Sequence, residues 1–283
     1  MMANPTLRQR QLAKRLREMR AEAGLSIAEV AEQLLCSPAK VSRIETAQRR
    51  ASLRDVRDLC RLYEVADPTE LMTLAREAQQ LSWWQDSEDV GFRPLIGLET
   101  EAVEIAEYET TTIPGLLQTE DYARAVIQGF LPRIAADVLD ERVAVRMKRQ
   151  ETLHKPSPPR YWVLLDESAL HRHVGGWPIM AAQLTQLAEL SQLPHVTVQV
   201  VPYSIGAHMG FDSAFMLLRF APSAGVANTV YFDTLAGQIF LEKPSQLDRF
   251  EEVLNHLRAA ALDPGDSRKR ILEQRDVFAA HKG

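Results

Sequence analysis

Residues 24–50, GLSIAEVAEQLLCSPAKVSRIETAQRR, constrain the fold more than any other stretch of this chain. Ser26 and Glu29 stand at capping-box spacing, where hydroxyl and carboxylate satisfy each other's free backbone amides and start a helix. Ile27, Val30, Ala31 and Leu34 follow at i, i+3, i+4, i+7, one apolar stripe on a short helix. Leu35–Cys36 make a tight turn. Ser37 is the next N-cap, and Pro38 sits at N1, where its missing N–H costs nothing. Val41 and Ile44 point inward from that next helix. Two short helices crossing steeply need a small residue at the crossing, and Ala31 fills the place. The spacing predicts a helix-turn-helix over Ser26–Thr46.

That orientation leaves Ser37, Ala39, Lys40, Ser42 and Arg43 on the outer face of the second helix. Such a face enters the major groove of double-stranded DNA with its N-terminal residues nearest the base edges. Lys40 and Arg43 are candidates for base edges, Arg43 with the geometry to take guanine bidentately. Gln48, Arg49 and Arg50, just beyond, are placed to grip phosphates, as is Ser26 at the first helix's start. Arg8, Arg10, Lys14, Arg15 and Arg17 crowd an earlier helix over 7–23 and read mostly as a solvated face.

Charge divides the chain in the same sense. The first 82 residues hold 14 Lys and Arg against 11 Asp and Glu, a net of +3, and the other 201 hold 19 against 27, a net of −8. A small basic head on an acidic body suits a nucleic-acid binder with a separate sensing or partner domain. Helices at Leu53–Tyr63 and Pro68–Leu81 bring the head to five. We therefore expect an all-α DNA-binding domain over 1–82 and a linker over 83–91, where SWWQDSED breaks the periodicity. A larger α+β domain over 92–283 then regulates or binds a partner.

In the larger domain Glu99–Thr110, Glu120–Gly129 and Asp137–Leu153 read as helices. Tyr161–Leu165, then a helix at Trp177–Leu193, then alternating Val196, Val198 and Val200 suit a crossover between parallel strands. Ala214–Phe220, Thr229–Leu235 and Gln238–Leu241 follow as an antiparallel meander. Leu247, Phe250, Leu254 and Leu257 give a closing helix. About five strands are expected.

Several functions are disfavoured. No apolar run approaches a membrane span of roughly 18 residues, and the start, MMANPTLRQRQ, has no apolar signal region, so a cytoplasmic protein is expected. Cys36 and Cys60 are too few for a disulfide framework or a four-cysteine zinc site. Asp166, Glu167, Ser168, His171 and His173 lie within eight residues, with His208 further on, yet no HExxH, GxSxG or GxxxxGK pattern accompanies them. We read Asp166 and Glu167 as cap and first-turn acid of a short helix at Ser168–His171. Arg142, Arg146 and Arg149 read as a solvated helix face, and Trp162, Trp177 and Tyr203 as core. No catalytic residue, metal site or cofactor is assigned.

The 24–50 run resembles the Xre class of lambda-repressor-like (Cro/C1-type) regulators over about residues 12–72. Gly24, Ser26, Ala31, Leu34, Ser37, Val41, Ser42, Ile44 and Glu45 carry the resemblance. It implies that Arg20 pairs with Glu45. Leu35 and Ala47 depart from it, standing where both turns usually have glycine. A non-glycine residue at positive φ costs about 1–2 kcal/mol, so re-angled turns are expected. The blocks Ile113–Ala125, Arg146–Gln150, Asp166–Gly176 and Pro194–Gly210, with the stretch around TLAGQIFLEKP, resemble the C-terminal domain of actinobacterial antitoxin-like Xre regulators. That resemblance implies a small protein partner encoded nearby. A homodimer is expected, because one such module reads few base pairs. The sequence leaves three readings: a regulator, an antitoxin-like protein that sequesters a partner, and a small-molecule-responsive repressor.

Overall fold

The computed structural model describes residues 7–79, 93–224, 226–234 and 237–281. The expected linker over 83–91 lies outside the described residues. The chain divides into two compact units, Met1–Glu101 with Phe220–Ala227, and Ala102–Arg219 with Asn228–Gly283.

The first unit contains α1 (Leu7–Glu22), α2 (Ile27–Gln33), α3 (Pro38–Glu45), α4 (Leu53–Leu62), α5 (Thr69–Gln79) and α6 (Arg93–Glu101). The first five match the helices read from the sequence. Leu12 and Leu16 of α1, Val30 and Ala31 of α2, Val41 and Ile44 of α3, and Val56 and Leu59 of α4 share one core with Leu71 and Ala75. Burying each such aliphatic side chain stabilises by about 1.5–3 kcal/mol, and α2 and α3 are too short to persist without it.

Helices α1 to α4 end in the same way. After each cap one residue turns left-handed: Gly24 at φ 69°, Leu35 at 51°, Ala47 at 56° and Glu64 at 53°. After α2, Leu35 N donates to Glu32 O at 3.1 Å and Cys36 N to Ala31 O at 2.8 Å, the paired bonds of a Schellman ending. Glu64 and Val65 repeat the pair onto Arg61 and Cys60. The expectation of re-angled turns is thereby corrected. Paired amide bonds hold Leu35 in the conformation that glycine would take freely, and Ala47, buried, is held in it by its own bond to Ile44 O at 3.1 Å and by Arg49 N on Arg43 O.

The second unit is built on a mixed sheet. Its strands are β1 (Glu104–Glu109), β2 (Arg160–Asp166), β3 (Val196–Val201), β4 (Phe215–Arg219), β5 (Thr229–Thr234) and β6 (Gly237–Leu241). They lie in the order β3-β2-β1-β4-β5-β6. The pairs β1–β2 and β2–β3 are parallel, and β1–β4, β4–β5 and β5–β6 are antiparallel. Helices α7 (Glu120–Phe130) and α8 (Ala136–Arg149) connect β1 to β2. Helices α9 (Ser168–His171) and α10 (Trp177–Leu190) connect β2 to β3, so the expected parallel crossover is present. The meander is present as well.

The helix expected at Glu99–Thr110 is a correction. Its first three residues end α6, and Glu104–Glu109 form β1, a sixth strand at the centre of the sheet. Ile105, Ala106 and Tyr108 mimic helical spacing because a central strand is buried on both faces and loses its alternation. The closing helix expected around Leu247–Leu257 is α11 (Pro244–Ala260), and α12 (Pro264–Ala280) follows it. Val253, Leu254 and Leu257 of α11 pack on one sheet face with Ala106, Tyr108, Leu164, Phe215, Leu217 and Val230.

Candidate nucleic-acid interface

Helix α3 is fixed from both ends. At its start the Ser37 hydroxyl accepts from Lys40 N at 3.2 Å. At the start of α2 the Ser26 hydroxyl accepts from Glu29 N at 3.2 Å, and the Glu29 carboxylate accepts from Ser26 N at 2.7 Å. Both serines thus spend their side-chain acceptors on capping, and what they offer DNA is the placement of a helix N-terminus. At the far end Arg20 Nε and Nη2 donate to the two oxygens of Glu45 at 2.8 and 3.0 Å. Arg20 Nη1 also donates to Leu25 O at 2.7 Å. One guanidinium therefore ties α1, the entry to α2 and the last turn of α3.

The pair is protected from water, with Glu45 only 7 % exposed. The hydrogen bond with Glu45 raises the Arg20 pKa further above its ordinary range. Burial first, and then the Glu45 charge, push the neighbouring Tyr63 phenol well above its usual range. Such a fork-to-fork contact orients as well as attracts.

Against this fixed frame, Ala39, Arg43, Gln48, Arg49 and Arg50 are exposed and Ser42 is half-buried. Arg43 Nε donates along the helix to Ala39 O at 3.1 Å, leaving the other guanidinium donors outward. Arg49 N donates back to Arg43 O at 2.8 Å, and Gln9 Nε2 to Ala47 O at 2.8 Å, so the turn carrying Gln48, Arg49 and Arg50 is anchored to α3 and α1. Among the described residues Arg43, Arg49 and Arg50 form no ion pair. The α1 cations behave differently: Arg8 pairs with Glu77 at 3.3 Å and Glu101 at 3.1 Å, and Arg15 with Glu18 at 3.4 Å.

Lys40 departs from the sequence reading. Its ammonium lies 2.5 Å from Asp55 Oδ1, which draws the side chain toward α4 instead of leaving it outward. Asp55 also caps α4, accepting from Ser52 N at 3.0 Å. Desolvation works to raise the Asp55 pKa, but hydrogen bonds from Lys40 and Ser52 outweigh it and hold the carboxyl below its usual range. Nothing in the sequence pattern marked Asp55, which sits fifteen residues from its lysine.

In the second unit the charged groups singled out by sequence are engaged within the domain. Asp166 Oδ1 accepts from Ser168 N at 2.9 Å, a turn just ahead of α9; the cap position itself is Glu167, which makes no side-chain cap bond, so the expected cap and first-turn roles are corrected. Glu167 is buried, pairs with Arg270, and accepts from Tyr203 N at 2.8 Å. His171 lies 3.8 Å from Glu167, His208 lies 3.9 Å from Asp166, and His173 packs on Trp177 and Phe278. Among the described residues no three His, Cys, Asp or Glu are placed to hold a metal ion. The solvated face expected for Arg142, Arg146 and Arg149 is a correction. Arg149 is buried, and Arg146 Nη1 donates to Gln118 Oε1 at 3.0 Å, because α8 packs its basic side toward the loop at 115–118. Tyr203, expected in the core, is exposed.

Two protein families match the chain. A helix-turn-helix domain family matches residues 11–74, which run from within α1 to within α5 and include every residue of the exposed face described above. A domain of unknown function (DUF5753) matches residues 92–273. No curated protein and no solved structure matches. The second match covers more than half of the sequence, and the chain belongs to the DUF5753 family, with a helix-turn-helix domain ahead of the family's domain.

Proposed function

We propose that this chain is a sequence-specific DNA-binding transcriptional regulator. The observation that carries the reading is the contrast within the head: α3 is locked by a buried Arg20–Glu45 pair, while Arg43, Arg49 and Arg50 stand exposed without a carboxylate. Cations held on a rigid frame and left unpaired are prepared for phosphates and base edges. Arg43, Ser42 and Ala39 face the bases; Gln48, Arg49, Arg50 and the N-termini at Ser26 and Ser37 grip the backbone. Lys40 serves as a tie to α4 through Asp55.

We assign the second unit to binding rather than catalysis, since Asp166, Glu167, His171, His173 and His208, the cluster that could have suggested chemistry, are spent on a turn, ion pairs and ring packing. We assign it a small protein partner whose association changes operator affinity, in line with the resemblance to antitoxin-like Xre regulators. The place of action is the cytoplasm, at the nucleoid; among the described residues no helix is long and apolar enough to cross a membrane.

The test is selection of duplexes from a random pool by the full chain. The reading expects one enriched sequence and an affinity that falls steeply with salt. Retention of random and enriched pools alike, with no salt dependence, would refute it.

A further inference from the structure

Of the cations on α3 and the turn beyond it, Lys40 alone has a carboxylate of its own among the described residues. Arg43, Arg49 and Arg50 are exposed and form no ion pair, while the Lys40 ammonium lies 2.5 Å from Asp55 Oδ1. Only 28 % of the Lys40 side chain and 17 % of the Asp55 side chain are exposed. The carboxylate is itself held in place. Asp55 Oδ2 accepts from Ser52 N at 3.0 Å and from the Ser52 hydroxyl at 2.8 Å, and Asp55 N donates to that hydroxyl at 3.0 Å. One oxygen is committed to the cap of α4, and the other is left for the lysine.

What a loose lysine would do at that place follows from its chemistry. An ammonium is a compact point charge on a flexible stem, and it takes any phosphate without regard to sequence. Arg43 differs, because its planar fork matches a base edge. On random DNA the head can shift until a loose cation meets a phosphate. On an operator, base contacts fix the register, so the same cation gains less. Extra sequence-independent grip therefore narrows the margin between operator and random DNA, and that margin is what a regulator needs.

We infer that Asp55 is a specificity-determining residue of the head, which withholds Lys40 from DNA phosphates. It acts through the lysine and needs no contact with DNA. Because the α4 cap presets the carboxylate, a phosphate must displace a partner already in place, where an exposed lysine would give up only water. The face offered to DNA then carries three unpaired arginines and one neutralised lysine. The inference rests on the DNA-binding reading and gives a task in it to a residue outside the contact face.

Salt titration of the full chain against the enriched duplex and a random one tests this, with melting profiles confirming that each variant is folded. Asp55→Asn keeps an acceptor for Ser52 N but drops the charge that holds Lys40. It should bind random DNA several-fold more tightly, gain less on the enriched duplex, and steepen the salt slope by about one unit. Asp55→Glu, which keeps the charge and the capping acceptor, should behave as wild type. In a Lys40→Ala background Asp55→Asn should leave the slope unchanged, because no lysine remains to release. A wild-type slope in Asp55→Asn overturns the inference and leaves Asp55 as a helix cap, with the two duplexes still distinguished by the wild-type chain. Equal gains with and without Lys40 also overturn it, by assigning the effect to the lost negative charge alone. A wild-type chain that binds both duplexes alike, with no salt dependence, overturns the DNA-binding reading itself and this inference with it.

Discussion

The two units place their charges in opposite ways. In the helical head Arg20 with Glu45 is turned inward and Lys40 is drawn to Asp55, while Arg43, Arg49 and Arg50 face water. In the sheet domain Arg149, Glu107, Glu167 and Arg146 are buried or half-buried and engaged, Glu107 with the Tyr161 hydroxyl and Glu167 with Arg270. An inward charge is committed to holding its own domain together. An outward charge on a rigid support is free to meet a partner. The head therefore announces its function through its surface, and the larger domain does not through its charges.

The largest expected effects come from breaking the inward charges. Glu45→Ala leaves a mostly buried guanidinium without its partner and should cost the head about 3–5 kcal/mol, seen as loss of its transition in urea unfolding. Glu167→Ala should cost the sheet domain less, about 1–2 kcal/mol, since Tyr203 N loses its acceptor while the half-exposed Arg270 keeps water and Glu273, and DNA affinity per folded head stays unchanged. A Glu45→Ala head as stable as wild type would remove the frame from the account.

Asp55 sharpens the comparison because it holds a cation that would otherwise face outward. Asp55→Asn should destabilise the head by about 1 kcal/mol, through a weakened cap and a released Lys40. The pH dependence has a definite sign. The carboxyl is held below its ordinary range in the fold, so its contribution is fully present above the unfolded value near pH 4 and disappears as pH falls through the folded value. The stability gap between wild type and Asp55→Asn should be flat above about pH 5 and close below about pH 4. A gap unchanged down to pH 2–3 would show that the charge contributes nothing.

The smallest effect concerns the turns. Leu35 is 95 % exposed at φ 51°, so replacing it by glycine loses no packing and relieves left-handed strain. Leu35→Gly should raise stability by up to about 1 kcal/mol, the strain relief of about 1–2 kcal/mol being partly offset by glycine's greater unfolded freedom. A measurable loss would mean that the exposed leucine has a contact in solution.

What the sequence showed and hid follows the same division. The capping signals at Ser26 and Ser37 and the periodic stripes of α1 to α5 are local, so helix bounds in the head were readable to within a few residues. Meander strands β4, β5 and β6 alternate with short connections and were readable too. Strand β1 was not, because burial on both faces erases alternation and Glu104–Glu109 imitates a helix. Helix α12 was missed although Asp263–Pro264 carries its cap and first-turn proline, with Asp263 Oδ1 accepting from Asp266 N at 2.8 Å. At the site, the Arg20–Glu45 pair was legible through resemblance alone. The Lys40–Asp55 tie was not legible at all, since tertiary ion pairs leave no periodic trace.

The account's central claim is that α3 reads bases while the turn beyond it holds phosphates, and titration of Arg43→Ala and Arg49→Ala against operator and random duplexes over a range of salt tests it most directly. Arg43→Ala should lose about 1–3 kcal/mol on the operator and little on random DNA, with selectivity relaxed at one base position. Arg49→Ala should weaken both duplexes alike and reduce the salt slope by about one unit. If the two variants lose affinity equally on operator and random DNA, α3 is not reading bases, and the account is wrong at its centre.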